Sequence, residues 1–391
     1  MTPAARVQAA IELLDVIVAA AREGGAAADT LISRYFKTRR YAGVKDRRAI
    51  RDLVYRAIRR AGETPASGRA AMLGLAEDDR GLIASFDGSP HGPAPIADGE
   101  TAAAARVAPD WLIARLDPLI GEGEHAALLD RAPLDLRANR LKATRDEALA
   151  IFPEAMATPH APLGLRLPEG TRVEESEAWR TGLVEVQDEG SQLACGVCEA
   201  SRGMKVLDLC AGAGGKSLAL AADMENEGRI VAADTDRNRL GRLPPRAERA
   251  GATIVETRLL NPDRERGMLE GEGFDLILVD APCSGSGTWR RNPETRWRIT
   301  PERLVRLTAL QARLLDLAAG LLAPGGRLVY VVCSLLAEEG REQAAALSVR
   351  SSLVPDTIVM KAGRMAGPGR LLSPGHDGTD GFFVARWRRP C

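Results

Sequence analysis

Asp208-Leu209-Cys210-Ala211-Gly212-Ala213-Gly214-Gly215-Lys216-Ser217 decides the fold. Lys205 to Leu209 reads as a short apolar strand, and Ser217 to Met224 reads as helix. The turn between them is glycine-rich, so the backbone can approach a ligand and adopt positive φ. It is not a phosphate loop of the G-x-x-x-x-G-K-[ST] kind, because Cys210 stands where the first glycine belongs. It is not G-x-G-x-x-G either, because Ser217 fills the last glycine position. Twenty residues after Gly214 comes Asp234, ending the next strand pattern, Arg229 to Asp234. An acid there is placed to take ribose hydroxyls, which suits S-adenosylmethionine, a cofactor with a ribose and no phosphate. The alternative is a tight βα turn with a surface Asp.

Outward from this turn, apolar strands alternate with helices. Thr253 to Thr257, Phe274 to Asp280, Arg327 to Cys333 and Phe382 to Trp387 read as strands, and a long helix is expected from Pro301 to Leu322. Such alternation predicts an α/β fold with a mostly parallel sheet and helices on both faces. Sites in this architecture gather at the carboxyl ends of the strands. Asp208, Asp234, Asp280 and Cys333 all stand at or near such ends.

The sharpest signal is Asp280-Ala281-Pro282-Cys283-Ser284-Gly285-Ser286-Gly287, followed by Arg290, Arg291, Asn292 and Pro293. Its counterpart is Val332-Cys333-Ser334. Neighbouring strands lie ~4.8 Å apart, so Asp280 and Cys333 are expected side by side at one edge. A lone Cys is usually a small buried hydrophobe; two at adjoining strand ends point to chemistry. A metal site lacks a nearby histidine, since His91, His125, His160 and His376 all fall elsewhere, and none is expected. Cys195-x-x-Cys198 lies in a helical pattern and reads as core.

The chain of 391 residues carries 53 basic and 53 acidic side chains, yet the balance is local. Residues 31–60 hold eleven Lys and Arg against only Asp46 and Asp52, a patch able to meet phosphates. Arg47 and Arg48 lie within it. Ile50, Leu53, Val54, Ala57 and Ile58 follow helical spacing, as do Ala10, Leu13, Leu14, Ile17 and Ala21. Asp87 to Thr101 holds six Pro and Gly and reads as a flexible connection. Leu134 to Leu141 alternates like a strand, and Thr144 with Glu147 forms a capping-box pattern. Apolar runs fall short of the ~20 residues of a bilayer span. Glu12 and Asp15 interrupt the first apolar stretch, which argues against a signal peptide. Six cysteines are too few for a disulfide framework in so long a chain. A cytoplasmic, monomeric protein away from membranes is expected.

Residues from about Val186 to Arg389 resemble the Nop/Sun family of RNA cytosine-5 methyltransferases, most closely its bacterial RsmB-like members. The resemblance rests on Val186 to Gln192, the turn 208–216, Asp280 to Gly285, Arg290-Arg291-Asn292-Pro293, Cys333-Ser334 and Asp380-Gly381-Phe382-Phe383. Arg131 to Arg137 and Lys45-Asp46-Arg47-Arg48 extend it upstream. It implies a class I S-adenosylmethionine-dependent methyltransferase, Rossmann-like, at 183–391. Before it would come a NusB-like helical domain at 1–75, a linker at 76–104 and an RNA-recognition-like α/β subdomain at 105–182. It implies that Cys333 adds to cytosine carbon 6, that Asp280 holds the N3/N4 edge, and that Cys283 assists release. The cofactor would meet Asp208, Cys210, Ala211, Gly212, Ala213, Gly214, Gly215, Lys216, Asp234 and Asp280. The substrate implied is RNA, ribosomal before transfer RNA. Arg290, Arg291 and Arg296, with Trp289 and Trp297 among them, would contact that RNA together with Arg47 and Arg48. Three departures stand out: Val332 replaces the family's Thr, Ala213 replaces a frequent Pro, and Asn261 or Asp263 stands in for the acid on the adenine side. A non-catalytic RNA-binding assembly factor and an exocyclic-nitrogen methyltransferase are the competing readings.

Overall fold

The computed structural model describes residues 1–391. The chain forms two compact units: Met1–Leu116, Glu122–Asp130 and Thr288–Pro301 make the first, and Asp117–Gly121, Arg131–Gly287 and Glu302–Cys391 the second.

Four helices build the first unit: α1 (Pro3–Glu23), α2 (Ala28–Thr38), α3 (Val44–Arg60) and α4 (Gly68–Asp78). Thr2 caps α1 by accepting from the Ala5 N–H at 3.1 Å. Val7, Leu14 and Ile17 of α1 share a core with Ile50, Val54 and Ile58 of α3. Burying each such side chain contributes about 1.5–3 kcal/mol. Helix α4 lies close on α1 because Gly68 has no Cβ; one there would come within 2.2 Å of the Ile11 carbonyl oxygen. Helix α4 also runs past residue 75, so 76–78 are not linker. The segment expected to be flexible is irregular but fastened. Arg69 donates to the Ala94 and Pro95 carbonyls and pairs with Glu100, and the Ala103 N–H bonds the Ala70 carbonyl. Its prolines prevent a ladder, while side-chain hydrogen bonds order the backbone.

Thr288–Pro301, expected with the catalytic half, belongs to this helical unit. Helix α2 lacks a capping side chain at Ala27, and Glu294 supplies one by accepting from the Ala28 N–H at 3.0 Å. Arg296 is 0% exposed. It donates to the carbonyls of Val107 at 2.7 Å, Arg59 at 2.8 Å and Ala61 at 2.9 Å, and to that of Ile58. These are mostly carbonyls that the end of α3 leaves unpaired, at the negative pole of the helix. Burial and the Arg59 charge push the Arg296 pKa down; the carbonyl oxygens hold the cation in place. Trp297 joins the core and donates its indole N–H to the Ala61 carbonyl at 2.9 Å. The expectation that Arg290 and Arg296 meet RNA, with Trp289 and Trp297 stacking on bases, is therefore corrected. All four are buried (5%, 0%, 0% and 6% exposed), because this stretch fills and caps the helical unit.

The second unit opens with a small antiparallel sheet of β1 (Leu134–Ala138), β2 (Met156–Ala157), β3 (Gly164–Leu167) and β4 (Val184–Val186), ordered β2-β3-β1-β4. The capping box of Thr144 and Glu147 starts the helix Arg145–Ile151, which covers this sheet through Ala148. Residues 105–116 and 122–130, expected in this piece, cluster with the helical unit instead.

A nine-stranded sheet follows. Its parallel part is β5 (Lys205–Asp208), β6 (Arg229–Asp234), β7 (Val255–Leu259), β8 (Phe274–Asp280) and β9 (Leu322–Val332), in the order β9-β8-β5-β6-β7. On the β9 side, β13 (Phe382–Arg388), β12 (Gly369–Leu372) and β11 (Arg364–Ala366) add antiparallel, and β10 (Val354–Pro355) pairs with β13. The central strands are apolar and shielded on both faces, as a parallel sheet requires: Val206, Leu207, Ile230, Val231, Leu276, Ile277 and Leu278 are fully buried. No helix is long and apolar enough to cross a membrane.

Candidate active site

The carboxyl ends of β5, β6, β8 and β9 lie next to one another in the sheet. They carry Asp208, Asp234, Asp280 and, one residue past β9, Cys333. Register places Asp280 opposite Val331, so the two chains leave the sheet together.

The turn after β5 is shaped by its neighbours. Asp234 accepts the Gly212 N–H at 2.8 Å with one oxygen and the Asp236 N–H at 2.7 Å with the other. Gly212 and Gly214 take φ of +55° and +81°, and a Cβ on Gly214 would strike the Leu243 side chain. Gly215, the first residue of the helix Gly215–Asp223, faces open space. Ala211 is tied by its N–H to the Ala233 carbonyl at 2.9 Å, and the Ala213 carbonyl accepts from Arg246 at 2.7 Å. Cys210 is half-buried; burial and the Asp208, Asp234 and Asp280 charges push its thiol pKa up, which disfavours the thiolate. Asp208 is 1% exposed. It accepts the Ser217 hydroxyl at 2.6 Å on Oδ2, while Oδ1 is buried without a partner.

Lys216 reaches across the sheet end and pairs with Asp280 at 2.6 Å. Burial opposes its charge, but the Asp280 carboxylate outweighs burial and holds the pKa above the ordinary lysine value. The loop after β8 brings the Cys283 sulfur within 3.4 Å of the Cys333 sulfur. Both cysteines are partly accessible. The hydrogen bond to Cys333 and burial raise the Cys283 pKa well above the usual thiol range. The two sulfurs are within hydrogen-bond reach, and either can be the donor. Val332, where a Thr was expected, is fully buried in β9 opposite Phe383. Cys195 and Cys198 are buried in the core, and burial raises both thiols.

Asn261 lies beyond β7, next to Leu260, whose N–H bonds the Asp234 carbonyl at 2.9 Å; Asn261 and Asp263 are both exposed. Among the expected RNA contacts, Arg291 is half-buried, Arg48 is exposed, and Arg47 spends its Nε on the Ala42 carbonyl at 2.8 Å. Sequence reasoning missed a layer beneath the cysteines: Ser284, Ser286, Ser334, Gln311 and Glu339, all buried. The available signal was that a serine directly follows each cysteine.

Comparison with known proteins places this arrangement. A family profile described as 16S rRNA methyltransferase RsmB/F matches residues 197–388. The ribosomal RNA small subunit methyltransferase B of Citrobacter koseri is 34% identical over 300 residues, covering 74% of this chain and 68% of that protein. Its namesake from Klebsiella pneumoniae (strain ATCC 700721) is 35% identical over 287 residues, covering 71% of this chain. The match spans 65% of that Klebsiella protein's length. Among solved structures, PH0851 superposes with a TM-score of 0.79 at 26% identity, covering 100% of this chain and 99% of that one. A methyltransferase homolog from Pyrococcus horikoshii gives 0.60 at 28% identity, covering 68% and 90%.

Proposed function

The chain belongs to the 16S rRNA methyltransferase RsmB/F family, and from that premise we propose that it forms 5-methylcytosine in RNA, ribosomal RNA of the small subunit first, with S-adenosylmethionine as donor. The observation that carries the reading is the pair of cysteine sulfurs 3.4 Å apart at the sheet edge that also holds Asp280. Cytosine carbon 5 is a poor nucleophile. Cys333 as thiolate adds to carbon 6 and makes the ring enamine-like, so that carbon 5 can accept an electrophile. Lys216 pairs with one oxygen of Asp280 at this sheet edge, and the other Asp280 oxygen would hold the N3/N4 edge of the base. After transfer, a base takes the carbon-5 proton, the freed electron pair reforms the carbon 5–carbon 6 double bond, and the carbon 6–sulfur bond breaks to return the Cys333 thiolate. The Cys283 thiol, hydrogen-bonded to that sulfur, makes it a better leaving group. Exposed Lys37, Arg40, Lys45 and Arg48 of the helical unit supply cations for the RNA backbone.

Bound S-adenosylmethionine supplies an activated methyl group. The residues present fit it. The turn 210–216 is an open cradle at Gly215, and Asp208 keeps an unpartnered buried oxygen suited to an ammonium group. Burial pushes the Asp208 pKa up from 3.8 to about 7. A raised carboxyl is protonated in the folded chain below that value, so its contribution to stability is whole below 3.8 and lost as pH rises through about 7. A cationic ligand favours the ionised form. Cofactor binding at pH 6 is thus expected to release a proton, and affinity to rise up to about tenfold per pH unit toward 7 and then level off. Calorimetry with S-adenosylhomocysteine in two buffers of different protonation enthalpy checks this; an unchanged apparent enthalpy at pH 6 would reject it.

The function itself is tested with labelled S-adenosylmethionine and small-subunit RNA, followed by bisulfite mapping. One or a few converted cytosines are expected, and none would end the reading. In Cys283→Ala, turnover should fall about 10²–10³-fold, while a Cys333–RNA adduct persists on denaturing gels. Equal adduct levels in variant and parent would remove Cys283 from the release step.

A further inference from the structure

Cys283 and Cys333 lie on separate loops, yet both loops are bolted to one side chain. Glu339 is 0% exposed. Its carboxylate accepts the Ser284 N–H at 2.8 Å, the Ser334 hydroxyl at 2.6 Å, the Gln311 amide at 3.0 Å and the Ser284 hydroxyl. Four donors satisfy the four lone-pair sites of a carboxylate. Without them the buried carboxyl oxygens would be left unpaired. The same Gln311 amide also reaches the Pro282 carbonyl at 2.9 Å. Residues on both sides of Cys283 and the residue after Cys333 are therefore held together. Ser286 completes the lattice, lying 3.0 Å from the Ser334 hydroxyl and accepting the Leu335 N–H at 2.8 Å.

Glu339 cannot easily retreat. Its own carbonyl accepts the Tyr330 hydroxyl at 2.6 Å, and a Cβ on the next residue, Gly340, would come within 2.9 Å of the Phe383 ring. Protein donors take all the acceptor sites of the carboxylate, so it does not meet substrate.

We propose that Glu339 is a positioning residue that sets the separation of the Cys283 and Cys333 sulfurs and so times release of the product against formation of the adduct. The timing rests on the functional reading above; the sulfur separation does not. A thiol displaced by 1 Å from its partner can cost about 10²-fold. Glu339→Gln keeps the shape but leaves one acceptor oxygen, so either the Ser284 N–H and Gln311 amide face a donor or both serine hydroxyls must turn and accept. Ser334→Ala removes the Glu339 contact on the Cys333 side, together with the Ser334 contacts to Ser284, Ser286 and the Leu336 N–H.

The test uses the full chain, reduced, and treated with diamide, which takes two electrons and two protons as the thiols become a disulfide. The Cys283–Cys333 linked peptide is then followed by mass spectrometry. The initial linking rate is expected to fall at least about tenfold in Glu339→Gln and by less in Ser334→Ala. S-adenosylhomocysteine affinity should stay within about twofold, because the 210–216 turn is untouched. With RNA, the fraction held as Cys333 adduct should rise while kcat falls more than KM changes. A role in fold stability alone would move the melting temperature and none of these. Should Glu339→Gln fail to fold, Ser334→Ala decides by the same linking rate. Linking at the parental rate in folded variants would overturn the proposal, whatever the methylation assay gives. Conversely, a parent chain that links its sulfurs but methylates no cytosine would end the functional reading and leave the linking result standing.

Discussion

Cys333→Ala is expected to lower methyl transfer by at least about four orders of magnitude, because loss of a nucleophile leaves no alternative route to activate carbon 5. The neighbouring Cys283 cannot substitute. In Cys333→Ala the hydrogen bond and the charge of Cys333 are gone, but burial and the Glu339 charge still push the Cys283 thiol pKa up. Cofactor affinity should not change, since the turn 210–216 makes its bonds to Asp234, Ala233 and Arg246 rather than to Cys333. Tritium transfer to RNA measures the rate, and 5-fluorocytosine RNA reports the covalent bond. A residual rate within tenfold of the parent would favour an exocyclic-nitrogen methyltransferase, which needs no thiol. A growth or assembly phenotype that survives the substitution would favour a non-catalytic assembly role.

Arg296→Met carries the second large effect, and it falls on stability. The side chain supplies a cation to four main-chain carbonyls while itself fully buried. Methionine fills much of the volume and takes the Arg296 donors from the Ile58, Arg59 and Val107 oxygens, while the Ala61 oxygen keeps the Trp297 indole N–H. Hydrogen bonds to a charged group are worth about 1.5–3 kcal/mol each, and they are not additive. A loss of about 3–5 kcal/mol is expected, close to what breaking other buried charge networks costs. Hydrogen exchange of residues 1–60 should show it as faster opening of α3 and its neighbours. Had Arg296 met RNA directly, the substitution would weaken RNA binding and leave exchange unchanged. That pattern would restore the expectation the structure corrects.

These two residues mark the boundary of what could be read without coordinates. Cys333 was legible because it ends an unmistakable apolar strand in a sheet of known habits. The same logic found Asp280, whose strand Phe274–Asp280 was bounded to the residue. Strand β7 begins two residues later than the expected Thr253–Thr257, because Val255–Leu259 is half exposed and carries Glu256 and Arg258, so no apolar run marks it. Arg296 misled because a sequence displays charge and hides burial. Its cluster with Arg290 and two tryptophans has the composition of a nucleic-acid surface and the location of a core.

Glu339 marks the opposite failure. Its partners lie 55, 28 and 5 residues away along the chain, and no spacing rule links them. The alternation of strands and helices, the glycine turn and the residue types at the strand ends are legible in the sequence, since local periodicity and backbone sterics depend on near neighbours. Tertiary structure alone decided which arginines face solvent, which helix unit the 288–301 segment caps, and how far apart the two sulfurs sit. Those depend on burial and on hydrogen bonds between residues that meet only after the chain has folded.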